Sequence, residues 1–345
     1  MDKAIREFLM KEIRLKKYSL APLDMLLLIG TAIAGACLRE SVITYVPLET
    51  AGAVSGQWKL FSMIFDVFLA VLMLDAVTGM TGNKIKGFLA YGVMLLLPVL
   101  AASSAMWGMG DQVYVFFALL GITYTLKGKG NLGLCSLGIS ILLNTNGLFL
   151  LPVFFGLYLR KEVKAAAFLA PLAGLIGNRL LVAGILPIRI SFMQAEALLA
   201  ESRKEALLSY HYPNIYQIFG VDKFVTEYSQ AAFWFVICLG AIIGVWMALR
   251  KKPLTKERLL LLFVFSAMVI PYFAPFMNER SGMLADVAAV LLGFVILRKF
   301  YVPLVQVIIS YVAYSAYFRG ESVIPMAFVA AASLLLIMDL IREET

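Results

Sequence analysis

Residues 259–277 read LLLLFVFSAMVIPYFAPFM and residues 283–297 read MLADVAAVLLGFVIL, with only NERSG between them. The two runs approach the roughly 20 apolar residues of a membrane-crossing helix. The carboxylate of Glu279 and the guanidinium of Arg280 lie at their junction, and Asp286 lies inside the second run. Because an ionisable residue within a membrane segment is costly, these residues mark a candidate functional site.

The rest of the chain has the same apolar character. Of its 345 residues, 61% are hydrophobic and 15% charged, and the mean hydropathy is +0.87. Such a composition predicts an all-α polytopic membrane protein of about 10–12 transmembrane segments, some short or broken. We place twelve apolar segments at about 20–38, 58–80, 87–106, 112–126, 132–143, 147–159, 165–186, 228–249, 259–277, 283–297, 300–318 and 322–340.

The distribution of basic residues predicts the orientation. With the N-terminus inside, 21 of the 30 Lys and Arg residues fall in cytoplasmic stretches, so both termini are expected in the cytoplasm. Residues 1–19 alternate basic and apolar side chains, which predicts an amphipathic helix on an anionic leaflet, followed by one integral membrane domain over 20–345. The net charge of +8 therefore indicates contact with membrane lipids and not with nucleic acid.

The residues that commonly bind metals form no recognisable pattern. Cys37, Cys135 and Cys238 all lie in apolar runs, at spacings that fit neither a metal site nor a disulfide framework. His211 is the only histidine. The sequence therefore predicts no metal site and no cofactor, although it leaves metal dependence of a bound substrate open.

Two neighbouring segments, 132–143 and 147–159, are too short to cross a bilayer. They meet at Asn144-Thr145-Asn146-Gly147, a polar break. At membrane depth such a break is tolerated when it is buried in protein or lines a wet cavity, and interrupted helices often line binding sites. We favour a cavity here over a bilayer thinned around short helices.

One stretch on the outward side, residues 187–227, is long. It contains an amphipathic piece and then an aromatic cluster that includes Tyr212, Asn214 and Tyr216. One interpretation is an interfacial helix with an aromatic belt. The other is a lid over an outward-facing cavity, where aromatic and amide groups would contact a sugar.

Four groups of polar residues are expected on the outward side of the membrane. Each has an ordinary structural interpretation: Arg280 can pair with Glu279, and Asp111 can cap the helix that follows it. Together, their carboxylates, guanidinium groups and amides suit a hydroxyl-rich ligand that bears phosphate. The groups are Arg39, Glu40 and Glu49; Trp107 to Asp111; the break from Asn144 to Gly147, with Asn146; and Asn278 to Arg280 with Asp286.

These motifs resemble those of bacterial GT-C membrane glycosyltransferases related to the second mannosyltransferase of GPI-anchor assembly. The similar elements, in the family's order, are Trp107-Gly108-Met109-Gly110-Asp111, Asn144-Thr145-Asn146, Phe149-Leu150-Leu151-Pro152, Pro213-Asn214-Ile215-Tyr216 and the stretch 277–287. The resemblance covers most of the chain. It implies a GT-C-like bundle in a bacterial cell membrane and a polyprenyl-phosphate-linked sugar as donor.

The chain also departs from the family pattern. Met109 replaces a Gln, Asn144 and Asn146 replace a Lys and a Gln, Asn278 replaces a His, and the first outward loop is short. Glu49 lies about where the family's catalytic Asp would fall. Several lost polar groups are the pattern expected of a non-catalytic member or of a changed chemistry.

Three function hypotheses remain open. In a glycosyltransferase, Arg280 or Arg39 would stabilise the departing lipid phosphate, while Glu49, Asp111 or Glu279 would accept the proton of the acceptor hydroxyl. A non-catalytic member would bind the lipid-linked saccharide or serve as a partner subunit in envelope polysaccharide assembly. A secondary transporter is the third, although the charged groups gather at one face and not at the midplane.

Overall fold

The computed structural model describes residues 10–11, 13–15, 18–44, 56–185, 206–250 and 254–343. Within these ranges the chain is a bundle of α-helices with two very short β pairings. The predicted all-α polytopic membrane architecture is confirmed. The helices of the first half are α1 (Pro22–Val42), α2 (Gly56–Thr81), α3 (Lys84–Leu96), α4 (Pro98–Ala102), α5 (Asp111–Leu126), α6 (Gly130–Leu143), α7 (Leu151–Leu159) and α8 (Leu169–Val182).

The second half continues the bundle and adds short segments of other helix types. Its helices are α9 (Ile215–Phe219), α10 (Val225–Leu249), α11 (Lys256–Phe273), α12 (Met283–Val295), α13 (Tyr301–Arg319) and α14 (Ile324–Glu343). A π-helix covers Ser103–Trp107, and 3-10 helices cover Thr145–Leu150, Ala165–Phe168, Glu279–Gly282 and Leu297–Lys299.

Six helices among the described residues are long and apolar enough to cross a membrane: Pro22–Val42, Gln57–Thr81, Ala165–Val182, Val225–Leu249, Leu297–Arg319 and Ile324–Glu343. The pair Lys84–Leu96 and Pro98–Trp107, bent by 44°, forms a seventh candidate. Pro98 explains this bend because proline has no N–H to continue the helical ladder. Each of the twelve predicted segments coincides with helical structure. The predicted segments outside these seven candidates form helices that are shorter than a full span or begin with charged residues.

The two quoted runs form α11 and α12, which lie inside the bundle. Almost every residue of α11 and α12 is buried, whereas in α1 only Gly35 and Arg39 are buried. This difference explains why α11 and α12 are apolar on all sides. They are enclosed by other helices, while α1, α8 and α10 present apolar side chains to the surroundings.

The short helix α6 packs closely against both neighbours through glycine. A Cβ on Gly174 of α8 would lie 2.2 Å from the carbonyl oxygen of Gly138 in α6. A Cβ on Gly133 would lie 2.7 Å from the carbonyl of Gly121 in α5. Small residues at such crossings allow backbones to approach, which supplies packing energy where lipid provides no hydrophobic driving force.

The helix predicted at the N-terminus needs correction at residues 13–15 and 18–20. Ile13–Leu15 (β1) pairs antiparallel with Tyr18–Leu20 (β2), so the predicted interfacial helix over 1–19 is wrong at these positions. In both strands apolar and polar residues alternate, which is the period of two expected of a strand. Over so short a segment the same residues also fit the basic and apolar pattern of an amphipathic helix. Most of residues 1–12, like Glu49 and residues 187–205, lies outside the described residues.

Asp111 and Arg280 meet at one end of the bundle, which we call the Arg280 end, and the pair of Arg39 and Asp66 is linked to them through Ser103 and Ser104. There, Ser209–Tyr210 (β3) pairs in parallel with Met277–Asn278 (β4), so residues 208–219, the capping segment, are bonded to the chain just before Glu279. Backbone bonds from Phe276 N to Leu208 O and from Leu208 N to Asp222 O, both 2.7 Å, complete the attachment.

Candidate functional site

A buried ionic cluster of Asp111, Glu279 and Arg280 forms the centre of the candidate site. Nη1 of Arg280 donates to Oδ2 of Asp111 at 2.7 Å, and its Nε lies 3.6 Å from Oε1 of Glu279. All three residues are only 4% exposed. Buried charges are tolerated when they are paired, and the two carboxylates of this cluster both contact the guanidinium.

Local backbone geometry explains the position of Asp111. The π-helix ends at Trp107, after which Gly108 and Gly110 both adopt left-handed conformations, with φ of 64° and 72°. A Cβ on Gly108 would lie 2.5 Å from Cγ of Lys59, so glycine is required there. Gly110 is the N-cap of α5, and Asp111 is the first residue of this helix. A carboxylate at that position interacts favourably with the positive end of the helix dipole.

The other side of the cluster is positioned by Asn278. Its side-chain oxygen accepts from the backbone N–H of Arg280 at 3.2 Å and from the Ser281 hydroxyl at 3.0 Å. The Ser281 hydroxyl in turn accepts from the Asn278 N–H, which completes a capping box around the 3-10 helix. Asn278 therefore holds the turn that carries Glu279 and Arg280.

Arg39 lies in a second buried ion pair. Its Nε donates to Oδ2 of Asp66 at 2.8 Å, and its Nη1 donates to the carbonyls of Gly35 and Leu95 at 2.9 and 2.7 Å. Its Nη2 has no hydrogen-bond partner among the described residues. The structure thus places Arg39 between α1, α2 and α3, while the neighbouring Glu40 is exposed.

The π-helix connects these two pairs. Ser103 donates from its hydroxyl to Oδ2 of Asp111 at 3.3 Å, and the side chain of the next residue, Ser104, interacts with Asp66. Single π-turns within α-helices occur often at functional sites. Here the wider turn places two consecutive hydroxyls against two different carboxylates.

Asp286, in the first turn of α12, forms a third polar group. Its Oδ1 accepts from Gln306 at 2.9 Å and from Ser310 at 2.7 Å. Its Oδ2 is buried and has no hydrogen-bond partner among the described residues. Tyr212 of the capping segment lies nearby, and burial together with the Asp286 charge raises the pKa of its phenol well above the usual value.

The capping segment contributes the other aromatic and amide residues predicted for the site. Asn214 accepts from Gln217 N and so caps α9, while its buried Nδ2 has no partner among the described residues. Tyr216 donates to the carbonyl of Phe273. His211 bridges to Asn278 and adopts a left-handed φ of 58°, a strained conformation of the kind that concentrates at functional sites.

Trp107 and the broken helix have structural roles in this arrangement. The Trp107 ring is 2% exposed and packs on Tyr314, Tyr317 and Phe318 at centroid distances of 5.2, 5.3 and 5.1 Å. Asn144 caps the 3-10 helix Thr145–Leu150 by accepting from Asn146 N at 2.9 Å. Asn144 and Asn146 are half-buried, whereas Gly147 is buried against Ser140 and Ile141.

Two cavities open at this end of the bundle. The large groove, about 640 Å³, lies between α9, α10 and α11 and is lined mainly by apolar residues, including Tyr216, Phe235 and Phe273. The small cleft, about 260 Å³, lies between α4, the π-helix and α13, with Tyr314 and Arg319 in its wall. Tyr314 connects the small cleft with the ionic cluster. It lines the cleft, and its phenol interacts electrostatically with the charged side chains of Asp111, Arg280, Glu279 and Asp286.

Sequence reasoning missed several groups of this site. Asp66 was detectable, since it is an ionisable residue inside an apolar run, which is the same signal that identified Asp286. Gln112, Gln306, Ser310 and Tyr314 gave no comparable signal. Both amide atoms of Gln112 and the Tyr314 hydroxyl are buried without a partner among the described residues.

The described part of the chain contains no group of three or more His, Cys, Asp or Glu side chains placed to bind a metal ion. The carboxylates at the Arg280 end are instead separated by the guanidinium and by hydroxyl groups. What this arrangement can offer a ligand is charge, hydroxyl and amide contacts.

Comparison with known proteins gives no relative from which a function can be transferred. No protein-family model matches the chain, and no curated protein matches it. The chemistry of the site therefore has to be inferred from its residues and geometry.

Proposed function

We propose that this protein binds a polyprenyl-phosphate-linked sugar at the Arg280 end and transfers its hexose to an envelope glycan or lipid acceptor. The proposal places the protein in a bacterial cell membrane, with both termini cytoplasmic and the site facing outward. One observation carries it: the buried cluster of Asp111, Glu279 and Arg280 lies at the end of the bundle where the capping segment and the large apolar groove also lie.

The groove and the cluster suit the two parts of such a donor. A prenyl chain is apolar and fits a wall formed by side chains such as Phe235 and Phe273. The capping segment runs from the groove at Tyr216 to Tyr212, beside Asp286. The sugar and phosphate would thus lie near carboxylates, amides and a guanidinium, which bind hydroxyl and phosphate groups.

Transfer requires one bond to form and one to break. The acceptor hydroxyl oxygen attacks the anomeric carbon, the bond from that carbon to the phosphate oxygen breaks, and the hydroxyl proton passes to a carboxylate. Glu279 or Asp111 is the candidate acceptor of that proton, and Arg280 is the candidate group that stabilises the negative charge on the departing lipid phosphate. Glu49, the third candidate base, lies outside the described residues.

A transfer assay tests this proposal. Purified protein in nanodiscs would be incubated with radiolabelled polyprenyl-phosphate mannose or glucose and a membrane glycolipid extract. We expect labelled product, and we expect Glu279→Gln to lower kcat by about 10²–10⁴-fold if Glu279 is the base. Glu321→Gln, which changes an exposed carboxylate, is the matched control. Absence of product with every donor would overturn the proposal.

A non-catalytic role is the second candidate, and one observation favours it. Both described carboxylates of the cluster already contact Arg280, and each is 4% exposed. A carboxylate that is already engaged by a buried guanidinium can accept a proton from a substrate only if that ion pair is broken. This role predicts that the lipid-phosphate sugar binds without turnover, for example in a partner subunit of envelope polysaccharide assembly. Binding measured on the nanodisc samples of the transfer assay distinguishes the two candidates.

A further inference from the structure

The small cleft is a separate feature from the large groove and the ionic cluster. Its apolar wall is formed by α4, the π-helix and the C-terminal half of α13, and includes Val99, Ala102, Met106 and Phe318. Tyr311, at 54% exposed, and Phe318, at 45%, show that it opens on the side of the bundle. In a membrane, a side opening with apolar walls faces hydrocarbon chains and not water.

The back of the cleft is closed toward the ionic cluster. Trp107 packs on Tyr314 and Phe318, two residues of the cleft wall, at centroid distances of 5.2 and 5.1 Å. Tyr314 lines the cleft whereas Asp111 and Arg280 do not, so an occupant contacts the Tyr314 ring and not those charges. This separation argues against the sugar donor as occupant, because its phosphate would have to approach those charges.

Arg319 gives the mouth of the cleft a positive charge. It is the last residue of α13, its side chain is 67% exposed, and its described ion pair is with Glu321 at 3.7 Å, which is itself 55% exposed. A surface pair of this kind contributes little, so the guanidinium is available to a phosphate. The C-terminal end of a helix disfavours anions, so the preference for an anionic headgroup has to come from the Arg319 guanidinium.

We propose that the small cleft binds one anionic membrane phospholipid, with an acyl chain along Met106 and Phe318 and the headgroup phosphate on Arg319. The apolar wall accepts a chain of any phospholipid. The guanidinium adds a preference for negative headgroups, and a basic side chain near the membrane surface gives about fivefold tighter association with anionic lipid. The proposal concerns a different surface from the proposed donor site and does not depend on transfer activity.

Native mass spectrometry of protein released from mixed nanodiscs tests the inference. The probes are phosphatidylglycerol and phosphatidylcholine in equal amounts. We expect the wild-type protein to retain phosphatidylglycerol about fivefold more often, and Arg319→Gln to remove this preference. Arg298→Gln changes an exposed arginine in the 3-10 helix that precedes α13 and should leave the preference intact. Ala102→Phe should fill the cleft and reduce retention of both lipids.

The outcomes separate clearly. Equal retention of the two lipids by the wild-type protein, or a preference that survives in Arg319→Gln, would overturn the proposal. Displacement of phosphatidylglycerol by polyprenyl phosphate would instead assign the cleft to the donor. Should Ala102→Phe fail to fold, Ser315→Phe fills the same cleft from α13. Transfer activity, assayed in phosphatidylcholine alone, reports on the proposed function independently.

Discussion

Arg280 donates a 2.7 Å hydrogen bond to Asp111, a residue 169 positions earlier in the chain, and both side chains are 5% exposed. This bond joins the start of α5 to the turn before α12 and closes the Arg280 end of the bundle. The positions of the buried polar groups at this end therefore depend on this pair.

Asp111→Ala is expected to destabilise the protein by about 3–5 kcal/mol, because removing one member of a buried ion pair leaves the other uncompensated. The measurement is reversible unfolding in detergent micelles. Asp339→Ala is the control, since Asp339 and Arg342 form a 4.0 Å pair with side chains 74% and 63% exposed. Its effect should stay within about 1 kcal/mol, and equal effects of the two variants would contradict the burial argument.

Arg39→Lys should cost about 2–3 kcal/mol although the charge is retained. The guanidinium bonds Asp66, the Gly35 carbonyl and the Leu95 carbonyl at once, and an ammonium group cannot reproduce that planar geometry. The same unfolding measurement applies. Arg179→Lys, at an exposed position of α8, should change stability by no more than about 0.5 kcal/mol.

The glycine contact between α6 and α8 gives a third prediction. Gly174→Ala should destabilise by about 1–3 kcal/mol, because the new Cβ would lie 2.2 Å from the Gly138 carbonyl oxygen and force the helices apart. Gly30→Ala in α1 is the matched control, since no atom lies within 4 Å of the added Cβ. Alanine favours helix there, so a neutral or stabilising result is expected. Comparable losses in both variants would refute the packing explanation.

Tyr212 predicts a pH dependence at alkaline pH. Burial and the Asp286 charge raise the pKa of its phenol in the folded protein, whereas an unfolded tyrosine ionises near pH 10. Above about pH 10 the unfolded state therefore binds fewer protons, and the free energy of unfolding falls as the pH rises. Tyr212→Phe should make this fall shallower, by up to about 1.4 kcal/mol per pH unit.

The matched control for this variant is Tyr228→Phe, at a residue that is 46% exposed. Unfolding is followed between pH 9 and 11, a window set by the usual tyrosine pKa of about 10. An unchanged alkaline slope in Tyr212→Phe would show that this phenol ionises alike in the folded and unfolded states.

Hydropathy and charge were sufficient to predict the helical segments and to place Asp111 and Arg280 at the same end, because each apolar run reverses the chain direction. They could not predict that Arg39 pairs with Asp66. Which side chains meet depends on the lateral arrangement of helices, and apolar runs without a polar face carry no information about neighbours. The strands β1 and β2 were missed for a related reason. A short segment that alternates polar and apolar residues fits both the period of an amphipathic helix and the period of a strand.

The 169-residue separation between Asp111 and Arg280 also has a consequence for biosynthesis. At roughly 5–20 residues per second, ribosomes need about 10–30 s to extend the chain from one residue to the other. During that interval α5 has left the ribosome with its first-turn carboxylate still lacking the guanidinium that compensates it. A chain that stops before residue 280 would leave the buried Asp111 carboxylate uncompensated, so we expect such a truncated chain to be less stable than the complete one.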